Sequence, residues 1–213
     1  MQAEIVDHVI AGNNALVILP TGGGKSMCFQ IPALCLDGLT IVVSPLIALM
    51  TDQVTALKEL GVAAECIHSG LSIEEKRGIT AMITDGTLKM LYMAPESLLQ
   101  DRFFNFISGL KISLIAIDEA HCISVWGNDF RPEYTKLGIL QKQLPSVPII
   151  ALTATADSAT QQDILEQLGI PQAKMFLGSF ERQNLTIRSS AGQDRFSKIL
   201  RFLFQYKNQT GII

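Results

Sequence analysis

The sequence predicts an α/β protein in which helices cover both faces of a central, mostly parallel β-sheet. Short apolar segments alternate with segments of helical periodicity almost from end to end, as expected for successive βαβ units. The apolar segments, such as Leu16–Leu19, Ile41–Val43 and Leu114–Ile117, carry no charge, which is typical of strands buried on both faces. A glycine-rich turn directly after the first of them is a third indication, because ligand-binding turns of this fold connect a strand to a helix.

The alternation assigns the elements in order along the chain. Strands are predicted near residues 15–19, 40–43, 64–67, 89–93, 112–117, 148–152 and 175–178. Helices are predicted near residues 2–11, 25–36, 46–60, 72–84, 96–108, 132–143 and 157–168, and a further helix over Arg195–Tyr206.

Two domains are predicted, of which the second is incomplete. The first covers residues 1–183. The composition becomes polar after Gly178, over Ser179–Arg188, and residues 184–213 are expected to open a second domain. Gly211-Ile212-Ile213 is typical of a strand that has just begun. Both ends of the chain are therefore expected to be cut.

Composition excludes several classes of protein. The chain has 213 residues, of which 48% are hydrophobic and 17% charged, a globular balance rather than a disordered one. No apolar run approaches the roughly 18 residues of a membrane span, and no export signal is recognisable, so no membrane contact is expected. A net charge of −3 argues against a surface that is positive throughout, but it is compatible with a local basic groove. The four cysteines lack C-x-x-C spacing, which predicts free thiols and no zinc.

The glycine-rich turn predicts a phosphate-binding site. It consists of Pro20, Thr21, Gly22, Gly23, Gly24, Lys25 and Ser26, and it opens the helix after the first strand. Glycines let consecutive backbone N–H groups and the helix N-terminus face an anion. In such a turn Lys25 would reach the β- and γ-phosphates, and the Ser26 hydroxyl would bind Mg²⁺. The full pattern has glycine where Leu19 stands, and a turn without a ligand is the alternative.

A pair of carboxylates follows the strand Leu114–Ile117, in the segment Asp118-Glu119-Ala120-His121. At that end of a strand Asp118 can hold Mg²⁺ through its water shell, and Glu119 can polarise the water that attacks the γ-phosphate. Since neighbouring side chains point in different directions, the two carboxylates can serve different roles. Capping of a following helix is the alternative interpretation.

A third motif, Leu152-Thr153-Ala154-Thr155-Ala156, ends another strand. Two hydroxyls beside a catalytic acid suit a relay between the nucleotide and a neighbouring surface. The same residues, with Asp157, are equally suited to capping the next helix, so the motif by itself leaves both interpretations open.

The order of these three motifs resembles the helicase superfamily that includes the DEAD- and DEAH-box proteins. The segment Val42–Met50, followed by Asp52-Gln53, is similar to the first strand-contacting motif of that superfamily, and Tyr92–Glu96 is similar to the second. The most specific segment is aromatic-rich, Ser124–Tyr134, and it resembles the corresponding loop of RecQ DNA helicases. The resemblance extends from Gln2 to Ile213.

The resemblance implies a RecA-like P-loop NTPase fold with ATP and Mg²⁺ as cofactors. By the same resemblance Gln2 would contact adenine, although the aromatic and arginine that accompany it in the family are absent. His121 would couple the nucleotide site to the strand-binding face.

By the same resemblance, the residues expected to contact DNA are Ser44, Pro45, Trp126, Phe130 and Arg131. Trp126 and Phe130 would stack on bases, and an exposed loop is favoured over a core position for Trp126. Asn128 replaces the usual histidine of the family, which puts the coupling of DNA binding to hydrolysis in question.

The resemblance implies the function of an ATP-dependent motor that moves 3′-to-5′ on single-stranded DNA and unwinds the duplex ahead. Single-stranded and forked DNA are the expected partners, for a monomer in a bacterial cytoplasm or a eukaryotic nucleus, with the bacterial setting favoured. The chain alone is expected to be inactive, because the family completes the nucleotide site with arginines of a second lobe. Three rival functions remain: a DEAH-type RNA helicase, a module that binds ATP without coupling it, and a small-molecule kinase.

Overall fold

The computed structural model describes residues 1–126, 129–179, 189, 192–207 and 210. The chain divides into two compact units, Met1–Phe180 and Glu181–Ile213. The first unit contains a seven-stranded sheet with the order β3-β4-β2-β5-β6-β1-β7. Its strands are β1 Ala15–Ile18, β2 Leu39–Val43, β3 Ala64–Ile67, β4 Met90–Met93, β5 Ile112–Ile117, β6 Ile149–Thr153 and β7 Lys174–Leu177. Each strand pairing among the described residues is parallel, which confirms the predicted fold class.

Nine α-helices are described in the first unit. They are α1 Gln2–Ile10, α2 Met27–Cys35, α3 Ile47–Glu59, α4 Ile73–Thr84, α5 Pro95–Leu98, α6 Asp101–Ser108, α7 Pro132–Thr135, α8 Gly138–Gln143 and α9 Ser158–Leu168. A 3₁₀ turn covers Ala120–Ile123. The predicted cap of α9 is present, because the Asp157 side chain accepts a hydrogen bond from the Thr160 N–H at 2.8 Å.

Two segments that were each predicted as one continuous helix contain two shorter helices instead. The segment 96–108 contains α5 and α6, and the segment 132–143 contains α7 and α8. In the second case the chain runs close to the end of α9. A Cβ atom on Gly138 would lie 2.2 Å from the Gln167 carbonyl oxygen, so only glycine fits there. Apolar periodicity does not detect such interruptions, because the spacing of the buried residues continues across them.

The sheet is buried on both faces by two hydrophobic clusters. Successive residues of β1 alternate between them: Leu16 and Ile18 belong to one cluster, and Ala15 and Val17 to the other. The first cluster includes residues of α4 and α6–α9, and the second includes residues of α1–α3. Because side chains on both faces of the sheet are buried, the strands appear in the sequence as continuous apolar runs.

The parallel arrangement brings the predicted motifs to one edge of the sheet. The loops after β1, β2, β4, β5 and β6 all leave from the carboxyl ends of their strands, where ligands of open α/β sheets bind. Because β5 lies between β2 and β6, and β6 lies beside β1, the acidic segment after β5 is flanked by the segments after its neighbours.

In the second unit the predicted helix is present as α10, Arg195–Gln205. None of its residues is buried, and its exposed side chains include Phe196, Ile199, Leu200, Phe202 and Leu203. The predicted polar segment from residue 180 to 188 and the predicted strand at 211–213 lie outside the described residues. The assignment of residues 184–213 to a second lobe stays a prediction.

Candidate active site

The glycine-rich turn joins β1 to α2, as predicted. Gly22 and Gly24 have φ angles of +78° and +76°, in the left-handed region that favours glycine. The Gly23 N–H donates to the Pro20 carbonyl at 2.8 Å, and a Cβ atom on Gly23 would lie 2.8 Å from the same oxygen. The turn is therefore closed tightly enough at Gly23 that a side chain there would meet the backbone. Thr21 lies exposed within it.

The helix after the turn begins later than predicted, at Met27 rather than near residue 25. Its first turn is tightened, because Met27 N donates to Gly24 O at 3.2 Å and Cys28 N donates to Lys25 O at 3.0 Å. Ser26 is the N-cap residue, and its side chain makes no capping hydrogen bond. This hydroxyl is therefore not used to cap the helix that it precedes.

Gln2 lies against the turn from α1. Its side-chain amide donates to the Gly23 carbonyl at 2.8 Å, and a Cβ atom on Gly24 would lie 2.3 Å from the same amide nitrogen. The sequence predicts that Gln2 contacts adenine. In this structure its amide contacts the backbone of the turn.

The charge of Lys25 acts on both carboxylates of the acidic segment. Its ammonium donates to the Leu19 carbonyl at 3.3 Å. Burial raises the pKa of the Asp118 carboxyl to about 6, with a further contribution from the charge of Glu119, while Lys25 opposes the rise. A hydrogen bond with His121 lowers the pKa of Glu119, and Lys25 acts in the same direction. The fold therefore brings together a cation and two carboxylates that lie over ninety residues apart in sequence.

Asp118 is held by the ends of two strands. It directly follows β5, its N–H donates to the Val43 carbonyl at 2.8 Å, and it is only 5% exposed. Its own carbonyl accepts a hydrogen bond from the buried Tyr134 hydroxyl at 3.3 Å. Tyr134 is the last residue of the aromatic-rich segment, but no local sequence pattern predicts its contact with Asp118.

Glu119 has an unusual backbone conformation. Its φ and ψ angles are 48° and 45°, in the left-handed region that non-glycine residues rarely adopt. The two carboxylates have different partners: Asp118 Oδ1 accepts from the Glu119 N–H at 3.0 Å, whereas Glu119 Oε2 lies 3.3 Å from His121 Nδ1. Strain of this kind persists where the surrounding structure imposes it, often at functional sites.

His121 joins the acidic segment to the threonine motif. Its Nδ1 atom lies 2.9 Å from the Thr153 hydroxyl, and Thr153 in turn donates to the Thr155 carbonyl at 3.1 Å. Contacts with the Cys122 sulfur and with the Glu119 carboxylate raise the pKa of His121. Of the two interpretations of the threonine motif, the structure supports a contact with the acidic segment, while Asp157 alone caps α9.

The aromatic-rich loop exposes its large side chains. Trp126 is 73% exposed and Phe130 is 39% exposed, which confirms that Trp126 lies in an exposed loop. The loop is anchored internally where the Trp126 N–H donates to the Ser124 hydroxyl at 3.2 Å. Asn128, the departure from the family pattern, lies outside the described residues.

Two of the predicted DNA-contacting residues touch each other. Arg131 Nη1 donates to the Pro45 carbonyl at 3.0 Å, which joins the loop after β5 to the loop after β2. Arg131 Nη2 also lies 3.7 Å from Asp129 Oδ2. The guanidinium thus has partners within the protein.

Ser44 requires a correction. The sequence predicts that it contacts DNA, but it is 1% exposed, and its hydroxyl is a buried oxygen without a hydrogen-bond partner. The physical reason is its position at the end of the central strand β2, where its N–H still pairs with the Met93 carbonyl. The structure does not present this side chain on an accessible surface.

All four cysteines are free thiols, as predicted, and Cys35 is the exposed one. One group of side chains in the described part of the chain could in principle ligate a metal, since ligand atoms of His121, Cys122 and Asp129 lie within 4.8 Å of one another. Within this group the Cys122 thiol donates to Asp129 Oδ2 at 3.9 Å, while Asp129 also lies near the Arg131 guanidinium and His121 contacts Thr153.

A parallel sheet with a glycine-rich turn after β1 and an acidic pair after β5 defines a RecA-like, P-loop nucleotide-binding domain. The family model of the DEAD/DEAH box helicases matches residues 1–164. The chain therefore belongs to the DEAD/DEAH box helicase family.

Two relatives show that the chain is similar to named DNA helicases. It is 47% identical, over 212 residues, to the ATP-dependent DNA helicase RecQ of Haemophilus influenzae, and the match covers 100% of this chain and 34% of the relative. It is 41% identical, over 211 residues, to the probable ATP-dependent DNA helicase RecS of Bacillus subtilis, covering 99% of this chain and 42% of the relative. The chain thus spans less than half the length of these relatives.

Solved structures agree on the fold. The helicase domain of Pyrococcus furiosus Hef superimposes with a TM-score of 0.64 at 21% identity, covering 83% of this chain and 38% of that chain. At this level of identity the likeness shows the RecA-like fold alone. Within the described residues, no helix is long and apolar enough to cross a membrane.

Proposed function

We propose that this chain is the ATP-binding lobe of a RecQ-type DNA helicase motor. The observation that carries the proposal is the arrangement at the carboxyl edge of the sheet, where the glycine-rich turn after β1 and the Asp118–Glu119 pair after β5 lie beside a loop that exposes Trp126. The acidic segment Asp118–His121 is followed within a few residues by the exposed Trp126, so the proposed nucleotide site and the proposed surface for bases share one stretch of chain. The names of the relatives, ATP-dependent DNA helicases, support the same proposal.

The residues fit ATP and Mg²⁺. A Cβ atom on Gly23 would meet the Pro20 carbonyl, and Gly22 and Gly24 have positive φ angles, so the turn uses glycine as a phosphate cradle does. The Ser26 hydroxyl and the Asp118 carboxylate are hard oxygen donors, which Mg²⁺ prefers. When bound, Mg²⁺ would neutralise charge that develops on the phosphates.

Each residue of the site has a proposed role. Lys25, together with Thr21 and the backbone of Gly22–Gly24, holds the phosphates. Lys25 would exchange its contact with the Leu19 carbonyl for a phosphate oxygen, because a charged acceptor forms the stronger hydrogen bond. Ser26 and Asp118 hold the metal. Glu119, whose low pKa keeps it ionised, accepts a hydrogen bond from the attacking water.

The DNA-facing surface would consist of Trp126, Phe130, Arg131 and Pro45. Exposed aromatic side chains stack on bases of any sequence. His121 would transmit the state of the nucleotide through Thr153, since it contacts both Glu119 and the threonine motif. Movement 3′-to-5′, a preference for forked DNA, a monomeric state and a bacterial setting belong to the same proposal and rest on the resemblance to RecQ helicases.

Full activity would require the second lobe. Arginines supplied from outside the P-loop domain are worth about 10³–10⁵ in rate in such enzymes. The 213-residue chain is therefore expected to bind nucleotide weakly and to hydrolyse little of it.

The decisive test is ATP turnover by the protein with its complete second lobe, in the presence of single-stranded DNA, single-stranded RNA or neither, beside the variant Glu119→Gln. Strong stimulation by DNA that is lost in the variant supports the proposal. Stimulation by RNA instead would indicate an RNA helicase, and turnover that neither polymer changes would indicate an uncoupled ATP-binding module. Turnover only with a small phosphate acceptor would indicate a kinase.

A further inference from the structure

A histidine, a cysteine and an aspartate meet where the acidic segment leads into the aromatic-rich loop. Ligand atoms of His121, Cys122 and Asp129 all lie within 4.8 Å of one another. The Cys122 thiol donates to Asp129 Oδ2 at 3.9 Å. His121 and Cys122 belong to the 3₁₀ turn after β5, whereas Asp129 lies in the loop. The three side chains thus join the turn to the loop.

The kinds of ligand atom in this group suit Zn²⁺. Imidazole nitrogen, thiolate sulfur and carboxylate oxygen are the donors by which proteins bind this ion. One thiolate and one carboxylate together balance the charge of one Zn²⁺ ion. Mg²⁺ prefers oxygen ligands alone, so this group differs in chemistry from the proposed Mg²⁺ site at Ser26 and Asp118.

The separations are close to those of a zinc site. Zinc bonds of about 2.3 Å to sulfur and about 2.0–2.1 Å to nitrogen or oxygen place tetrahedral ligand atoms roughly 3.3–3.6 Å apart. A spread of up to 4.8 Å therefore has to shrink by roughly 1 Å. Asp129 is the member that can move, because its side chain is 60% exposed, whereas Cys122 is fully buried. Its exposed ion pair with Arg131, at 3.7 Å, can be exchanged at little cost.

His121 is already oriented as the histidines of zinc sites are. Its Nδ1 atom lies 3.3 Å from Glu119 Oε2 and 2.9 Å from the Thr153 hydroxyl. A zinc-binding histidine typically gives one ring nitrogen to the metal and donates the N–H of the other to a carboxylate. With Nδ1 as the donor, the neutral ring has Nε2 left for a metal.

Zinc is not expected from the sequence, because the four cysteines lack C-x-x-C spacing. That spacing identifies sites with paired cysteines. A site with a single thiol leaves no such pattern, since the fold has to bring its other ligands together. The alternative interpretation of the group is a hydrogen bond between thiol and carboxylate that only anchors the loop.

We infer that His121, Cys122 and Asp129 form a binding site for Zn²⁺, and that the bound ion slows the motor. Binding would release the Cys122 thiol proton, and any proton on His121 Nε2, to solvent. The ion would then hold His121 and the aromatic-rich loop in one arrangement, which opposes any rearrangement that coupling requires. The effect on turnover rests on the proposed function, whereas metal binding itself does not.

The first test is Co²⁺ binding to the 213-residue chain, because Co²⁺ occupies zinc sites and a cobalt–thiolate bond absorbs in the near ultraviolet. The wild type is expected to show this absorption, and added Zn²⁺ should abolish it. Cys122→Ala should lack it. Asp129→Asn should bind Co²⁺ at least about 10-fold more weakly, since a direct ligand matters no less than the outer-shell partners that are worth about 10- to 100-fold.

The other cysteines provide matched controls. Cys66 is a second buried thiol and Cys35 an exposed one, and within the described residues neither belongs to a group of three possible ligands. Cys66→Ala and Cys35→Ala should keep the absorption. A wild type without thiolate absorption would mean that the group is only a hydrogen-bonded anchor, and would overturn the inference. Absorption that persists in Cys122→Ala, or Co²⁺ affinity that Asp129→Asn leaves unchanged, would do the same. Asp129 is exposed, so its replacement tests the site without removing core packing.

The second test is ATP turnover by the protein with its complete second lobe, in excess Mg²⁺ and with single-stranded DNA. Zn²⁺ is expected to lower DNA-stimulated turnover of the wild type by about 2- to 30-fold and to leave that of Asp129→Asn unchanged. Equal inhibition of the two proteins would place the effect at another site and contradict the inference. A wild type that lacks DNA-stimulated turnover before Zn²⁺ is added would instead contradict the proposed function, while the Co²⁺ absorption would still test the metal site.

Discussion

The imidazole of His121 lies with its Nδ1 atom 2.9 Å from the hydroxyl of Thr153, which joins the segment after β5 to the segment after β6. The same nitrogen lies 3.3 Å from Glu119 Oε2. One histidine thus contacts both the carboxylate proposed to orient water and the motif proposed to relay its state.

The contact predicts that Thr153→Val uncouples DNA binding from hydrolysis. Valine keeps the shape of the buried side chain but cannot hydrogen-bond to His121. Couplings of this kind carry about 0.5–2 kcal/mol, so DNA-stimulated ATP turnover should fall by about 2- to 30-fold. Turnover is measured with and without single-stranded DNA, and Thr153→Ser, which keeps the hydroxyl, serves as the control. A normal DNA response in Thr153→Val would contradict the relay.

The left-handed backbone of Glu119 predicts a stability cost at the site. Glu119→Ala and Glu119→Gly both remove the carboxylate, but only glycine tolerates φ near +48° without strain. Glu119→Gly should therefore be about 1 kcal/mol more stable than Glu119→Ala. Chemical unfolding of the two variants measures the difference, and both should lack turnover. Equal stabilities would mean that the backbone at Glu119 is unstrained.

Burial of Asp118 predicts that unfolding depends on pH in the absence of metal. Its folded pKa of about 6 lies above the ordinary 3.8, so the folded state binds the proton more tightly. The unfolding free energy contributed by this group therefore falls as the pH rises from about 4 to 6. Asp118→Asn should remove that dependence and stabilise the metal-free protein at pH 7 by on the order of 2–3 kcal/mol. Urea unfolding at pH 5 and pH 7 without Mg²⁺ checks this, and a variant as pH-dependent as the wild type would contradict it.

The closed turn predicts that Gly23→Ala abolishes nucleotide binding. The added Cβ atom would lie 2.8 Å from the Pro20 carbonyl oxygen, a backbone atom that cannot move without opening the turn. Gly78→Ala is the matched control, because nothing lies within 4 Å of its Cβ position on α4. That control should bind nucleotide normally and gain about 0.5–1 kcal/mol in stability. Fluorescent nucleotide titration distinguishes the two, and normal binding by Gly23→Ala would refute a phosphate role for the turn.

Exposure of Trp126 predicts a role in DNA affinity without a role in stability. Stacking is worth about 1–3 kcal/mol per base, so Trp126→Ala should weaken single-stranded DNA binding by about 5- to 150-fold. Its thermal midpoint should stay close to that of the wild type, because the side chain is 73% exposed. Leu60→Ala is the control, since Leu60 is 79% exposed and lies after α3, at the opposite edge of the sheet. Fluorescence anisotropy measures the affinities, and equal weakening in both variants would contradict a specific contact.

Local sequence patterns were sufficient for the α/β class and for the strand positions. Strands buried on both faces need uninterrupted apolar runs, and a phosphate turn needs glycines at fixed spacing. Both features can therefore be recognised in short stretches of consecutive residues. The same holds for the order of the three motifs, on which the resemblance to RecQ helicases depends. The predicted roles of the site residues, by contrast, remain proposals.

Contacts between distant segments were decided only by the tertiary structure. The burial of Ser44 and the break before Gly138 depend on neighbours that lie far away in sequence. The hydrogen bonds from Gln30 to Tyr92 and from Tyr92 to Gln53 join α2, β4 and α3, and no spacing along the chain encodes them. Consecutive residues determine which groups the edge of the sheet carries, whereas packing of the helices against the sheet determines which of those groups touch.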